Sequence, residues 1–190
     1  MTKSSIEVPD WSAIPRPGDD GAASHLRGMQ IPSVRLAATD GTTVDLSLLP
    51  GLVVVYAYPR TGLPGAENPD GWDMIPGARG CTPQSCAFRD HFADLKNMGV
   101  NYLFGLSTQD RAYQGEAVDR LHLPFPTLSD ENFKLTSALR LPTFQTSGMT
   151  LLKRLTLAIQ AAKIEHVFYP VFPPDRNASE VLAWLAARPR

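Results

Sequence analysis

The chain has 190 residues, a formal net charge of −1 at pH 7, 43% hydrophobic residues and 19% charged residues. These values are typical of one globular domain with a hydrophobic core, and they exclude a disordered chain. The balanced charge, without a basic stripe interleaved with aromatic residues, argues against a nucleic-acid partner. No apolar run approaches the roughly 20 residues that span a bilayer. The first residues contain no signal-peptide core either, which predicts a cytoplasmic protein.

The first predicted elements are a hairpin and a buried strand. Asp40-Gly41 is a strong turn signal between the segments 33–39 and 42–45, which predicts two antiparallel strands. The continuous apolar run over 52–58 is typical of a central strand that is covered on both faces.

Residues 62–80 are the least regular stretch, crowded with Gly and Pro. The stretch is too broken for a helix or strand and long for a loop in a compact domain, which predicts a functional or flexible segment. It carries Trp72 and Met74. These side chains form either a hydrophobic lid over the cysteine that follows or an anchor that fixes the loop to the domain, and the anchor is favoured.

The remaining pattern alternates helices and strands. Apolar residues recur at helical spacing over 83–98. Beyond them we predict strands over 100–106, 151–159 and 164–168 and helices over 111–122, 130–139 and 178–187, the last capped by Asn177. This order predicts one α/β domain over residues 31–190, with helices covering a mixed central sheet. The polar residues 1–30, rich in Pro and Gly, are predicted to form an N-terminal arm.

The two cysteines of the chain, Cys81 and Cys86, lie in the segment GCTPQSC. Cys81 opens a predicted helix, and Pro83 suits its first turn, where a missing N–H costs no hydrogen bond. Unpaired N–H groups and the helix dipole stabilise a thiolate at such a position. In a reducing compartment a close cysteine pair is more often catalytic or metal-binding than a permanent disulfide. Because the four histidines are scattered and give no metal-ligand pattern, redox chemistry at Cys81 is favoured.

The spacing of the pair restricts how the two thiols meet. In an unbroken helix, residues five apart point roughly 140° away from each other, with alpha carbons about 8 Å apart. A disulfide needs these carbons within roughly 7 Å. Oxidation to a disulfide would therefore unwind the first helical turn, and reduction would restore it. Cys86 is otherwise a small buried side chain inside the helix.

The stretch GCTPQSCAFRD resembles the active-site helix of peroxiredoxins of the Q type, also called bacterioferritin comigratory proteins. The surrounding chain is similar to the same family at Tyr58-Pro59, VNYLFGLSTQD, FPTLSDEN and Arg154-Leu155-Thr156-Leu157. The resemblance covers roughly residues 30 to 187 and implies a thioredoxin-like fold.

The resemblance also implies a mechanism. Cys81 would be the peroxidatic cysteine and Cys86 the resolving one, which condenses with the Cys81 sulfenic acid into an intramolecular disulfide. Arg154 would hold the thiolate and polarise the peroxide. A thioredoxin-like thiol donor would then reduce the disulfide. No metal, flavin or haem is implied, and because resolution is intramolecular, a monomer suffices.

One departure from the family leaves alternatives open. The family usually has Pro seven and Thr or Ser three residues before the peroxidatic cysteine, where this chain has Met74 and Ala78. An insertion over 62–77 would explain the change, with Pro59 keeping the role of the proline and Thr61 supplying the hydroxyl. Alternatively, the chain is a non-enzymatic redox sensor or partner-binding domain that uses the same dithiol. A thiol–disulfide oxidoreductase is disfavoured, because those enzymes favour Cys-x-x-Cys.

Overall fold

The computed structural model describes residues 9–188. Its strands are β1 (Arg35–Ala38), β2 (Thr43–Asp45), β3 (Leu52–Ala57), β4 (Val100–Ser107), β5 (Thr127–Ser129), β6 (Thr143–Thr146), β7 (Met149–Leu152), β8 (Leu155–Gln160) and β9 (Lys163–Phe168). Its α-helices are α1 (Cys81–Asp90), α2 (Phe92–Asn97), α3 (Arg111–Leu121), α4 (Lys134–Leu139) and α5 (Asn177–Ala187).

A seven-stranded mixed sheet with the order β2-β1-β5-β4-β3-β8-β9 forms the centre of the domain, and β6 and β7 form a separate hairpin. β3 pairs in parallel with β4 and antiparallel with β8. Strands β1 and β2 pair antiparallel, which confirms the hairpin predicted around Asp40-Gly41. The predicted mixed α/β architecture is thus confirmed.

The continuous apolar run of β3 is explained by burial on both faces of the sheet. Val53 and Val55 contact one core cluster, which also contains Leu26 from the N-terminal part of the chain. Val54 and Tyr56 contact a second cluster, which includes residues of α1 and α5. Because successive side chains of a strand point to opposite faces, a strand between two layers must be apolar at every position.

Three predicted elements are divided or begin later in the structure. The helix predicted over 83–98 is two helices, α1 and α2, because His91 leaves helical geometry between them (φ −96°, ψ 8°). The strand predicted over 151–159 is interrupted after Leu152, because β7 pairs with β6 whereas β8 joins the main sheet. The helix predicted from Asp130 begins only at Lys134.

The sequence predicts that Asn177 caps the last helix, but in the structure it does not. It is the first residue of α5, is fully buried, and accepts hydrogen bonds from side chains of other elements. Its Oδ1 atom therefore accepts hydrogen bonds from these side chains and not from the backbone N–H groups of its own helix.

Residues 23–31 pack against the edge of the sheet at β9. Gly28 N donates to Ile164 O at 2.8 Å, Ile164 N donates to Met29 O at 2.9 Å, and the Leu26 side chain is fully buried. The division into an arm (1–30) and a domain (31–190) stays a prediction, and residues 1–8 of that arm lie outside the described residues. No helix within residues 9–188 has the length and apolar character needed to cross a membrane.

Candidate active site

The loop before α1 ends in a glycine that brings the helix start against the rest of the domain. Gly80 has φ +106°, and a Cβ atom at this position would lie 2.6 Å from Cγ of Pro174 and 2.8 Å from the Trp11 ring. Only glycine combines this backbone conformation with so close an approach. Cys81 follows as the first residue of α1.

The Cys81 thiol is buried, with 4% of the residue exposed, and lies beside a cation. Arg154 Nη2 is 3.3 Å from Cys81 Sγ, and this sulfur lies 3.7 Å from Ala78 O. The sequence-predicted partners Cys81 and Arg154 are thus brought into direct contact although they lie 73 positions apart. A guanidinium at this distance stabilises a thiolate over a thiol by charge–charge attraction.

Arg154 is held by hydrogen-bond acceptors that carry no charge. It lies between β7 and β8, is 3% exposed, and donates through Nη2 to Gly77 O, Ala78 O and Arg79 O, each at 3.2 Å. Its Nη1 donates to Gln84 Oε1. Within residues 9–188 it forms no ion pair with a carboxylate, so its positive charge is left to act on the sulfur.

A buried chain of side-chain amides supports Arg154. Gln84 Nε2 donates to Asn177 Oδ1 at 2.9 Å, and Thr156 Oγ1 donates to the same oxygen at 2.7 Å. Because arginine can only donate, it fixes the Oε1 atom of Gln84 toward itself, and Gln84 Nε2 then fixes the orientation of Asn177. Gln84 is not among the site residues predicted from the sequence, where its only signal is a polar side chain in the helix that Cys81 opens.

Cys86 lies further along the same helix, with 7% of the residue exposed. Burial raises the pKa of the Cys86 thiol above its ordinary value. Both cysteines are free thiols, and both belong to one continuous helix. The predicted conflict between helical geometry and a Cys81–Cys86 disulfide therefore applies to this reduced form.

Pro59 and Thr61 follow β3 and are both buried. Thr61 lines the same cleft as Cys81, but its Oγ1 lies 3.5 Å from Gln109 Oε1, and within residues 9–188 no hydrogen bond joins it to the cysteine. Ala78, at the position where the family has a hydroxyl, also lines this cleft. The loop between Thr61 and Ala78 lines the same cleft, among others through Leu63 and Trp72. The roles of Pro59 and Thr61 stay predictions.

Trp72 is the anchor of the loop. It is 5% exposed and packs with Ala78 and Leu151, and its ring lies 6.3 Å from that of Phe144. Met74, in contrast, is 70% exposed and is not part of a cover over the cysteine. The anchor interpretation is therefore favoured over the hydrophobic lid.

The Cys81 thiol lies at a cleft of about 480 Å³. This volume is within the usual range for small-molecule sites. The loop provides apolar lining residues, among them Leu63, Pro64 and Trp72. Arg60 and Arg120 line it as well. The arrangement therefore combines a buried thiol, a cation in contact with it, a second thiol in the same helix and space for a substrate.

A family model and named relatives match most of this chain. The model of the Redoxin family matches residues 26–183. The chain is 31% identical over 183 residues to a chloroplastic peroxiredoxin Q of Populus jackii, covering 95% of this chain and 76% of the relative. It is 31% identical over 159 residues to peroxiredoxin Bcp of Escherichia coli (strain K12), covering 81% of this chain and 91% of the relative.

Solved structures show the same fold. The crystal structure of peroxidoxin BcpB from Mycobacterium tuberculosis is 25% identical, with a TM-score of 0.69, and the match covers 86% of this chain and 98% of the other. Peroxiredoxin Q of Xanthomonas campestris, at 20% identity, matches with a TM-score of 0.65 over 84% of this chain and 96% of the other. These structures confirm the thioredoxin-like fold of the peroxiredoxins.

The fold and the site define a thioredoxin-like domain with a dithiol at the start of a helix. The chain belongs to the Redoxin family, and its relatives within that family are peroxiredoxins of the Q and Bcp type. The match to chloroplastic peroxiredoxin Q of Oryza sativa subsp. japonica covers 82% of this chain and 64% of the relative.

Proposed function

We propose that this protein is a thiol-dependent peroxidase that reduces hydrogen peroxide or organic hydroperoxides, with Cys81 as nucleophile. The observation that carries the proposal is the contact of 3.3 Å between Arg154 Nη2 and Cys81 Sγ at the start of α1, with a second thiol in the same helix. A thiolate stabilised in this way is the reactive form in nucleophilic attack on a peroxide.

In the first step the Cys81 thiolate attacks the terminal oxygen of the peroxide. The S–O bond forms as the O–O bond breaks, and two electrons pass from the sulfur to the peroxide. The departing oxygen takes up a proton and leaves as water or an alcohol. Arg154 stabilises the thiolate before attack and the negative charge that develops on the peroxide oxygens during it.

In the second step Cys86 attacks the Cys81 sulfenic acid, a disulfide forms, and water leaves. Because both residues lie in α1, the first turn unwinds and Gln84 releases Arg154. A thioredoxin-like donor then returns two electrons and reduces the disulfide by thiol exchange. This cycle needs a reducing compartment such as the cytoplasm and no partner subunit, so we propose a cytoplasmic protein that works as a monomer.

Mass spectrometry of the intact protein tests these roles. After one equivalent of hydrogen peroxide, the wild type should lose two hydrogen atoms and contain a Cys81–Cys86 disulfide. Cys86→Ser should instead gain one oxygen at Cys81, trapped by a sulfenic-acid reagent, and Cys81→Ser should stay unmodified. Oxidation of Cys86 in the Cys81→Ser variant at the wild-type rate would contradict the assignment.

One observation favours the second candidate, a redox sensor with slow turnover. The only hydroxyl that the sequence analysis assigned to peroxide binding, that of Thr61, is oriented by Gln109. A sensor would form the same disulfide but would react with peroxide at the rate of a free thiol. Turnover with a thioredoxin system separates the two candidates, because only the peroxidase sustains many cycles.

A further inference from the structure

A second cavity, of about 330 Å³, adjoins the active site without being part of the Cys81 cleft. The two cavities share no lining residue. Arg154 lines the second cavity, while its Nη2 lies 3.3 Å from Cys81 Sγ. The volume is within the usual range for small-molecule sites. The Arg154 side chain therefore connects this second cavity to the nucleophile.

The walls of the second cavity are mainly apolar and come from segments that are far apart in the chain. The N-terminal segment, the loop before α1, strand β6 and the chain after β9 all contribute. The apolar lining residues are Pro17, Ile75, Pro76, Phe144, Pro170 and Val171. Such walls favour a ligand with a hydrophobic body, because its binding removes apolar surface from water.

Three polar side chains at the second cavity satisfy one another. Lys153 Nζ forms an ion pair of 2.5 Å with Asp20 Oδ2, and the Tyr169 hydroxyl donates to Asp20 Oδ1 at 2.7 Å. Within residues 9–188, Asp20 is the only acidic residue that lines this cavity, and Lys153 compensates its charge. These three groups therefore provide no free donor for a ligand with several charges.

The Nε atom of Arg154 differs from its two terminal nitrogens. Nη1 and Nη2 donate to Gln84 and to the loop before α1, but Nε is buried and, within residues 9–188, has no hydrogen-bond partner. The residue is 3% exposed and has no carboxylate partner in this part of the chain. A buried donor without an acceptor is unfavourable, and an anion at Nε would remove this cost and compensate the charge.

We propose that the second cavity binds a small hydrophobic monocarboxylate, whose carboxylate accepts from Arg154 Nε–H and whose carbon skeleton packs between the apolar walls. One negative charge matches the one uncompensated cation, whereas a phosphate ester would need further donors. Binding is reversible and forms no covalent bond.

A bound carboxylate would inhibit the reaction of Cys81 without entering its cleft. Its negative charge opposes the field of Arg154 at the sulfur, so less of the thiolate is present. This inhibition rests on the proposed peroxidase function, whereas the binding itself does not.

NMR spectroscopy of arginine Nε–H groups tests the binding directly. The Arg154 signal is identified by its loss in Arg154→Lys, and the reduced wild type is titrated with hexanoate or hexan-1-ol at constant ionic strength. We expect hexanoate to move this signal until it saturates, and hexan-1-ol, which lacks the charge, to bind roughly tenfold more weakly. An unchanged signal in hexanoate, or equal affinity for the two compounds, would overturn the inference.

A matched pair of variants tests the location. Ile75→Trp fills part of the second cavity, and its affinity for hexanoate should fall by at least about tenfold. Met74→Trp is the control, because it adds the same ring at the neighbouring residue, which is 70% exposed and does not line the cavity. Phe144→Glu repeats the test by charge repulsion at another wall. Wild-type affinity in both cavity variants would place hexanoate elsewhere and overturn the inference.

Stopped-flow oxidation by hydrogen peroxide tests the inhibition. Saturating hexanoate should lower the rate constant of the wild type roughly tenfold, and the same concentration should have little effect on Ile75→Trp. Fast oxidation that bound hexanoate does not slow would contradict the inhibition. Oxidation no faster than that of a free thiol, with and without hexanoate, would overturn the proposed function, while a shifted Arg154 signal would still support the binding site.

Discussion

At the scale of single residues, the chemistry depends on how the Arg154 guanidinium is held. Its neighbours are main-chain oxygens and the amide of Gln84, so it is buried and fixed without being neutralised. A carboxylate at the position of Gln84 would hold the guanidinium equally well but would weaken its field at the sulfur. An amide also donates onward to Asn177, which a carboxylate cannot do.

Gln84→Met tests this positioning role. It removes the acceptor for Arg154 and leaves one donor of a buried cation without a partner, and hydrogen bonds to charged groups are worth about 1.5–3 kcal/mol. We expect the rate constant of Cys81 oxidation to fall by at least about tenfold, because a displaced Arg154 no longer stabilises the negative charge that develops on the peroxide oxygens. Gln145→Met, at an exposed position of β6, is the control and should react like the wild type. Equal rates in both variants would show that Gln84 does not position Arg154.

The buried Cys86 thiol gives a prediction about pH. Because burial raises its pKa, the folded chain holds the thiol proton more tightly than the unfolded chain. Its contribution to stability is therefore fully present below the unfolded pKa of about 8.5 and decreases as the pH rises above it. The free energy of unfolding of the wild type, relative to Cys86→Ala, should fall by up to about 1.4 kcal/mol between about pH 8.5 and 9.5. A constant difference over this range in urea unfolding would contradict the prediction.

At the scale of elements, α1 is fixed differently at its two ends. Further along the helix, the Phe88 ring stacks on Tyr56 in the central strand, with ring centres 4.4 Å apart. At its start, Gly80 packs against Trp11 and Pro174, and Gln84 bonds to Arg154. Disulfide formation needs only the first turn to open, so the contacts of Gly80 and Gln84 set the free energy of that opening.

Gly80→Ala tests the start of the helix. A side chain at φ +106° is strained, and its Cβ would clash with Pro174 and Trp11, so we expect a loss of about 1–3 kcal/mol or more in the free energy of unfolding. The opened turn should also slow the reaction with peroxide, because Cys81 leaves Arg154. Gly18→Ala is the matched control, since no atom lies within 4 Å of the added Cβ. Identical stability of the two variants would refute the close packing at Gly80.

At the scale of the whole molecule, the segment before β1 is part of the folded core. Leu26 is fully buried, with 0% of its surface accessible, and it packs in the same cluster as Val53 and Val55 of the central strand. Asp20 joins the same segment to the connection between β7 and β8, because it forms an ion pair of 2.5 Å with Lys153, the neighbour of Arg154 in the chain.

Leu26→Ala should therefore destabilise the entire domain by about 2–5 kcal/mol, as expected for a large-to-small change in a core. Leu48→Ala is the control, because that side chain is 76% exposed, and it should change stability by less than about 0.5 kcal/mol. Urea unfolding of both variants provides the measurement. A loss as small in Leu26→Ala as in Leu48→Ala would mean that this segment is an appendage.

The sequence predicted the elements whose signal is local. The turn at Asp40-Gly41, the buried strand β3 and the start of α1 at Cys81 each follow from a few neighbouring residues. The interruption of the strand at Lys153-Arg154 could not be predicted from neighbouring residues. Both flanking segments are apolar, and only the strands with which they pair differ. That interruption is what places Arg154 outside the ladder and against the sulfur.

The supporting residues of the site depend on long-range contacts. Gln84 and Asn177 lie 93 positions apart, and neither has a local pattern that reveals the other. Asn177 instead matches the pattern of a helix cap, which explains the wrong prediction. The contact between the Arg60 guanidinium and the Trp72 ring likewise exists only in the folded loop, which brings the two side chains together.

Stopped-flow oxidation by hydrogen peroxide, followed by tryptophan fluorescence, tests the central claim most directly. We expect the wild type and Cys86→Ser to be oxidised orders of magnitude faster than a free thiol, and Cys81→Ser not to react. Only the wild type should show a second phase, as the disulfide forms and the start of α1 unwinds. Oxidation of the wild type no faster than that of a free thiol would contradict the account, because the contact between Arg154 and Cys81 would then confer no reactivity.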